Sequence, residues 1–195
     1  MDPLRAYGDK KYWKNQMDIN DQHNFNLYFS KVLKTLLHPN FKLCQLIISE
    51  RRQLDNRQFS VGIQLRMNAK DRKDCGIRAE NVTHYIKEID RIIRKNGYSP
   101  IQSTLYISTD LPEIIDHIKH IAVGYNVIES RLFEHGHTSS AFSQGKPFSE
   151  IVKKVIADFV NVVRSDIAFV TWQSSLARLM CFAMYPKPCS SIEKL

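Results

Sequence analysis

Glycine is scarce in this chain. There are seven glycines among 195 residues, and none falls in a Gly-x-Gly-x-x-Gly or Gly-Lys-Ser/Thr phosphate loop. If a nucleotide binds, its phosphates must be held by something else. Cysteine is also sparse. Cys44, Cys75, Cys181 and Cys189 form no Cys-x-x-Cys pair, so zinc has little support, and two disulfides or free buried thiols fit equally. Long apolar runs are missing. The start, MDPLRAYGDKKYWKNQMD, lacks a signal-peptide core, and no stretch reaches the length of a membrane span, so the chain reads as soluble. There is no RNA-recognition sequence, zinc-finger spacing or continuous basic arm. The net charge of +8 and pI near 9.3 attract anions. The basic residues, however, alternate with acids in RKDCGIR, KEIDRIIRK and SERRQLDNR, as they do on solvated faces. Nucleic acid is therefore not an expected partner.

What the chain does contain is an alternation of helical and extended segments. Residues 1–24 form a polar, aromatic arm. Residues 25–58 read as a helical linker segment: one apolar stripe runs to Leu37 and ends at His38-Pro39, and a second turns Leu43, Leu46, Ile47 and Ile48 inward. SVGIQLR (60–66) alternates as a strand does and leaves Arg66 at its C-terminal end. A long polar loop follows, then a helix with Val82, Tyr85, Ile86, Ile89, Ile92 and Ile93 on one face and Gly97 as its stop. STLYIS is the second strand, ending near Thr109 and Asp110, and Pro112 opens the next helix. VGYNVI (123–128) is the third strand. A helix over 148–164 leads to IAFVT, the fourth strand, and Ser174-Ser175 begin a last helix. The tail 186–195 has two prolines and no periodicity. Strands alternating with helices predict an α/β fold, a Rossmann-like parallel sheet flanked by helices.

In such folds ligands sit beyond the C-terminal ends of the strands, where helix starts offer free N–H groups and a positive dipole end. The residues at those places are Arg66, Asp110, Ser174 and Ser175. Arg66 presents a planar, permanently charged fork that suits a pyrophosphate, or a surface ion pair. Ser174 and Ser175 suit a phosphate, and either also suits a plain helix cap. Asp158 stands out in the apolar run VIADFVNVV. It either points at a ligand with adjacent N–H donors, such as guanine, or pairs with Lys154 four residues earlier. Asp166 reads as a turn-former. His135 and His137 lack a carboxylate at ligand spacing, and His117 and His120 read as a solvent face, so no metal site is expected.

Taken in order, LYFSKVLKTLLHPNFKLCQLI, VGIQLR and ADFVNVVRSDIAFVTWQSS resemble the C-terminal donor half of the plant xyloglucan fucosyltransferase family. Leu37-His38-Pro39, Gly62 to Arg66, Asp158 with Asp166, and Ser174-Ser175 stand at that family's motif positions. Ser108 to Asp110 is similar to the middle motif of the wider fucosyltransferase superfamily. The resemblance covers roughly residues 24 to 180. It implies one lobe of a GT-B glycosyltransferase over 59–185. That lobe would transfer fucose from GDP-fucose to a glycan acceptor with inversion, in the Golgi lumen, with no metal or other cofactor. Arg66 would be catalytic, holding the β-phosphate as GDP leaves. Gln64 would line the site, Asp110 would belong to it, Asp158 would read the guanine, and Ser174 and Ser175 would hold the diphosphate. Two departures stand beside this. The family has an acid shortly after the strand arginine, where this chain reads Met67-Asn68-Ala69. The family's acceptor lobe and membrane anchor have no counterpart in these 195 residues. The expectation is then a missing N-terminal lobe, or a non-catalytic GDP-sugar-fold module.

Overall fold

From Val61 to Leu65 every side chain is buried, on both sides of the strand. A strand can bury both faces only inside a sheet that is covered above and below. A computed structural model of the chain describes residues 57–67, 77–129 and 148–195, together with scattered helical positions between 26 and 48. Five strands form the sheet: β1 (Phe59–Leu65), β2 (Ser103–Thr109), β3 (Asn126–Glu129), β4 (Ile167–Val170) and β5 (Cys189–Ser191). Their order is β3-β2-β1-β4-β5, and every pairing is parallel. Among the described residues four helices connect them: α1 (Ala79–Lys95), α2 (Glu113–Ile121), α3 (Phe148–Arg164) and α4 (Ser175–Met184). The architecture is the α/β, Rossmann-like parallel sheet flanked by helices that the alternation of segments predicts.

The two faces have separate cores. Val61, Ile63, Leu65, Leu105, Ile107 and Phe169 meet Val82, Ile86, Ile89 and Ile93 of α1 and Ile114, Ile115 and Ile118 of α2. On the other face Tyr106, Ile128, Ala168 and Val170 meet Phe159, Val162 and Val163 of α3 and Ala177, Met180 and Met184 of α4. Gly62 belongs to this second face for a steric reason. A Cβ there would stand 3.0 Å from the Cα of Val162 and 3.1 Å from the Ser165 hydroxyl. Glycine lets α3 lie close against β1.

Local chemistry sets the element ends. Gly97 stops α1 with a φ of +85°, a conformation that other residues enter at a cost. Asp166 joins the end of α3 to the start of β1. Its carboxylate accepts from the Ser60 amide at 2.8 Å and the Ser60 hydroxyl at 2.7 Å. The third strand starts later than its apolar residues predict. Val123 is exposed, Gly124 has a φ of +89°, and Tyr125 N–H donates to the Ala122 carbonyl, so 122–125 is a turn.

The C-terminal residues depart most from expectation. They read as a tail, yet Cys189 pairs with Ala168 and Ser191 with Val170, and a disulfide joins Cys181 of α4 to Cys189. Ile192 is fully buried. Residues that read as a linker also pack on the helices. The Ser30 hydroxyl donates to the Ala183 carbonyl at 2.9 Å, and Leu43 and Ile47 pack against Ala157. Ile48, expected inward, is 43% exposed. Cys44 is a free thiol. Cys75, Leu46, Asn68, Ala69, His135 and His137 lie outside the described residues.

Candidate functional site at the strand tips

The order β3-β2-β1-β4-β5 reverses direction between β1 and β4. The chain leaves β1 through α1 on one face and reaches β4 through α3 on the other. Neighbouring connections diverge there, above the C-terminal ends of those two strands, the usual ligand position in such sheets.

Thr171 holds the two tips together. Its N–H donates to the Gln64 carbonyl at 3.0 Å and to the Gln64 side-chain oxygen at 3.3 Å. Its hydroxyl donates to the Gln64 carbonyl at 3.1 Å and accepts from the Arg66 N–H at 3.0 Å. Arg66, the residue after β1, is therefore fixed at its backbone beside the first residue after β4. Gln64, buried at 7% exposure, has part of its amide committed to this lacing. Asp110 ties in the next tip: its carboxylate accepts from the Met67 N–H at 2.9 Å. Met67 pairs with Ile77, so the loop after β1 leaves and returns at the same place.

Four residues beyond Val170, Ser174 caps α4. Its hydroxyl accepts from the Ala177 N–H at 3.4 Å, and its own N–H closes a turn onto the Thr171 carbonyl at 2.9 Å. Ser174 is thus a buried cap, as one of its two sequence readings holds. Ser175 is exposed, and its hydroxyl accepts from the Arg178 guanidinium at 3.3 Å. The first turn of α4 contains no acid. A helix start favours negative charge nearby and disfavours a cation. Here an arginine stands over it and a second arginine follows the adjacent strand. An anion suits such a helix start. Arg178 escaped notice in the sequence, although a helix start at Ser174-Ser175 already put it in the first turn; its contact with Ser175 comes from the structure.

Trp172, 41% exposed, lies on the same turn. Its N–H donates at 3.2 Å to the carboxylate of Glu193, which also accepts from the Ser191 hydroxyl. The sequence held no signal for this contact, since the partners come from a strand and a tail with no periodic pattern.

Asp158 is placed elsewhere. It is 6% exposed and lies against the middle of β2. One oxygen accepts from the Tyr106 hydroxyl at 2.8 Å and the other from Lys154 at 3.0 Å. The ion pair, one of its two sequence readings, is formed, and it is buried. Asp158 is not brought to the tips with Arg66 and Ser174. At the opposite end of the sheet, Asp90 accepts from Arg94 at 2.8 Å and from Tyr125 at 2.5 Å. Burial raises the Asp90 carboxyl, but these two hydrogen bonds outweigh it and hold it below its ordinary value. Burial, then the bond to Asp90, pushes the Tyr125 hydroxyl upward. His117 pairs with Thr83 at 2.9 Å on an exposed surface. Among the described residues no three His, Cys, Asp or Glu side chains converge as metal ligands, and no helix is long and apolar enough to cross a membrane.

No family model matches this chain, and no curated protein matches it. Among solved structures it is similar to NodZ alpha-1,6-fucosyltransferase co-crystallised with GDP. The two share 11% identity at a TM-score of 0.46, over 75% of this chain and 42% of that one. The same enzyme soaked with GDP-fucose gives 11% identity and 0.46, over 74% and 42%. The fucosyltransferase NodZ from Bradyrhizobium gives 11% and 0.45, over 74% and 41%. The chain aligns with about two fifths of the length of each.

Proposed function

We propose that this chain is the donor-binding lobe of a GT-B fucosyltransferase that transfers fucose from GDP-fucose to a glycan hydroxyl, with inversion and without a metal. One observation carries the reading. Thr171 holds the Arg66 backbone at the tips of β1 and β4, and the helix that starts four residues after Thr171 has no acid in its first turn and carries Arg178. Breaking a sugar–phosphate bond builds negative charge on the β-phosphate. Fixed cations and oriented N–H groups stabilise that charge without a proton donor. In this reading Arg66 is the catalytic residue. Ser175, Arg178 and the first N–H groups of α4 hold the diphosphate, Ser174 shapes the turn, and Gln64 and Asp110 fix the tips. The resemblance assigns the guanine to Asp158, which requires both Tyr106 and Lys154 to release its carboxylate oxygens. The Cys181–Cys189 disulfide suits an oxidising compartment, and the Golgi lumen is the proposed setting.

Titration calorimetry with GDP, ADP and UDP tests the proposal. GDP is expected to bind best, and Arg66→Ala to weaken it about tenfold or more, the loss of one strong charge-assisted contact. Equal affinity for all three nucleotides removes the guanine assignment. Absence of binding removes the whole reading. A second reading, a non-catalytic GDP-sugar-fold module lacking the acceptor lobe, is favoured by Met67-Asn68-Ala69 where the family carries an acid. Fucose transfer to a galactoside acceptor by the chain alone excludes it.

A further inference from the structure

The last seven residues carry a contact that a free tail would not make. Ser191 pairs with Val170, the last residue of β4, so the turn after β4 and the short 3-10 helix Ile192–Lys194 begin next to each other. Two positions on, the Trp172 N–H meets the Glu193 carboxylate at 3.2 Å. A side-chain oxygen here stands where the next rung of the parallel ladder would come. The Ser191 hydroxyl donates to the same carboxylate oxygen and fixes its position. Three anchors hold the segment: the Cys181–Cys189 disulfide, the Ala168 N–H bond to the Pro188 carbonyl at 3.1 Å, and the fully buried Ile192.

The turn that begins with Thr171 and Trp172 is thus gripped from two sides. Thr171 donates toward β1, through Gln64, and Trp172 donates toward β5, through Glu193. With both N–H groups engaged, the turn cannot rotate to offer them elsewhere, and Ser174, Ser175 and the open end of α4 keep one orientation. We infer that Glu193 is a positioning residue for phosphate recognition. The disulfide-tethered C-terminal segment sets the Trp172–Ser175 turn so that α4 faces its anion. This deepens the proposed function and rests on GDP as the ligand. Glu193 touches neither the phosphates nor the reacting atoms.

The experiment compares Glu193→Ala and Glu193→Gln with the parent chain by two readouts. The first is amide hydrogen exchange of residues 171–176 without ligand, which decides the structural claim whether or not GDP binds. Exchange is expected to be faster in Glu193→Ala, with rates near the parent in Glu193→Gln, which keeps an acceptor oxygen. Unchanged exchange in Glu193→Ala overturns the inference. The second is calorimetry with GDP and with guanosine. Glu193→Ala is expected to weaken GDP about fivefold, because the turn then holds its binding orientation only part of the time, while guanosine affinity stays unchanged. Unchanged or tighter GDP binding in Glu193→Ala overturns the inference, as does an equal loss for guanosine. A parent chain that binds no GDP overturns the functional reading and, with it, the role in phosphate recognition, while the exchange result still settles what holds the turn. A Cys181→Ser, Cys189→Ser double variant is expected to reproduce the faster exchange, and slow exchange in it removes the disulfide from the account.

Discussion

The two faces of the sheet solve burial differently. Under α1 and α2 the buried cluster is apolar and mostly aliphatic, and the charged pair Asp90–Arg94 with its Tyr125 hydroxyl stays at the rim. Under α3 and α4 charge goes inside. Lys154 and Asp158 are each 6% exposed, Tyr106 donates to Asp158 from the sheet, and Ser165 and Asn161 are buried beside them. Both amide atoms of Asn161 lack a hydrogen-bond partner among the described residues. Aliphatic burial tolerates the loss of a methyl group by shrinkage, whereas a buried ion depends on each of its partners. The polar face is also the one whose helix, α4, begins at the candidate site. The difference therefore separates an apolar layer from one that also orients the residues of the candidate site.

Breaking the buried pair gives the sharpest test of that difference. Asp158→Ala leaves Lys154 charged and unpaired, and is expected to cost about 3–5 kcal/mol in urea unfolding. The Lys154→Met, Asp158→Leu double variant is expected to lose less than either single change. A double loss equal to the sum would show that the two groups do not interact. Gly62 offers a steric test on the same face. Gly62→Ala sets a Cβ 3.0 Å from backbone of α3, which flexible side chains cannot absorb. A loss of about 1–3 kcal/mol is expected, and an unchanged thermal midpoint would mean that α3 moves freely on the sheet. The rim of the aliphatic face should respond least, and by pH. The Tyr125 hydroxyl is raised, so its contribution is present below about pH 10, the unfolded tyrosine value, and is lost as pH rises through the folded value. Asp90 is lowered, so its contribution is present above about pH 4 and is lost as pH falls through the folded value. Tyr125→Phe is expected to cost about 1 kcal/mol at neutral pH and to flatten the alkaline limb of the stability curve.

Much of the sheet was legible in the sequence because its signals are local. Val61, Ile63 and Leu65 alternate, Val82 to Ile93 keep helical spacing, and Gly97 and Ser174 punctuate the helices. Arg66 and Ser174 could be placed at strand tips by counting. What escaped depends on contacts far apart in the chain. Glu193 matters only because β5 lies beside β4, and three residues, Cys189–Ser191, are too few to show a period. Asp158 could be read as an ion-pair partner or a ligand contact. Only packing decides how deeply it lies, and the Tyr106 hydroxyl that joins it comes from a distant strand. The turn that delays β3 is set by Gly124, whose backbone conformation a hydrophobic pattern does not encode.

The outermost strands have a further consequence. β3 has four residues and β5 three, so each rim exposes few unpaired backbone groups, and the β5 rim is stapled to α4. Long, flat rims template the stacking of one chain on the next. Among the described residues this sheet is longest at its centre and clipped at both margins, which guards it against ribbon-to-ribbon association.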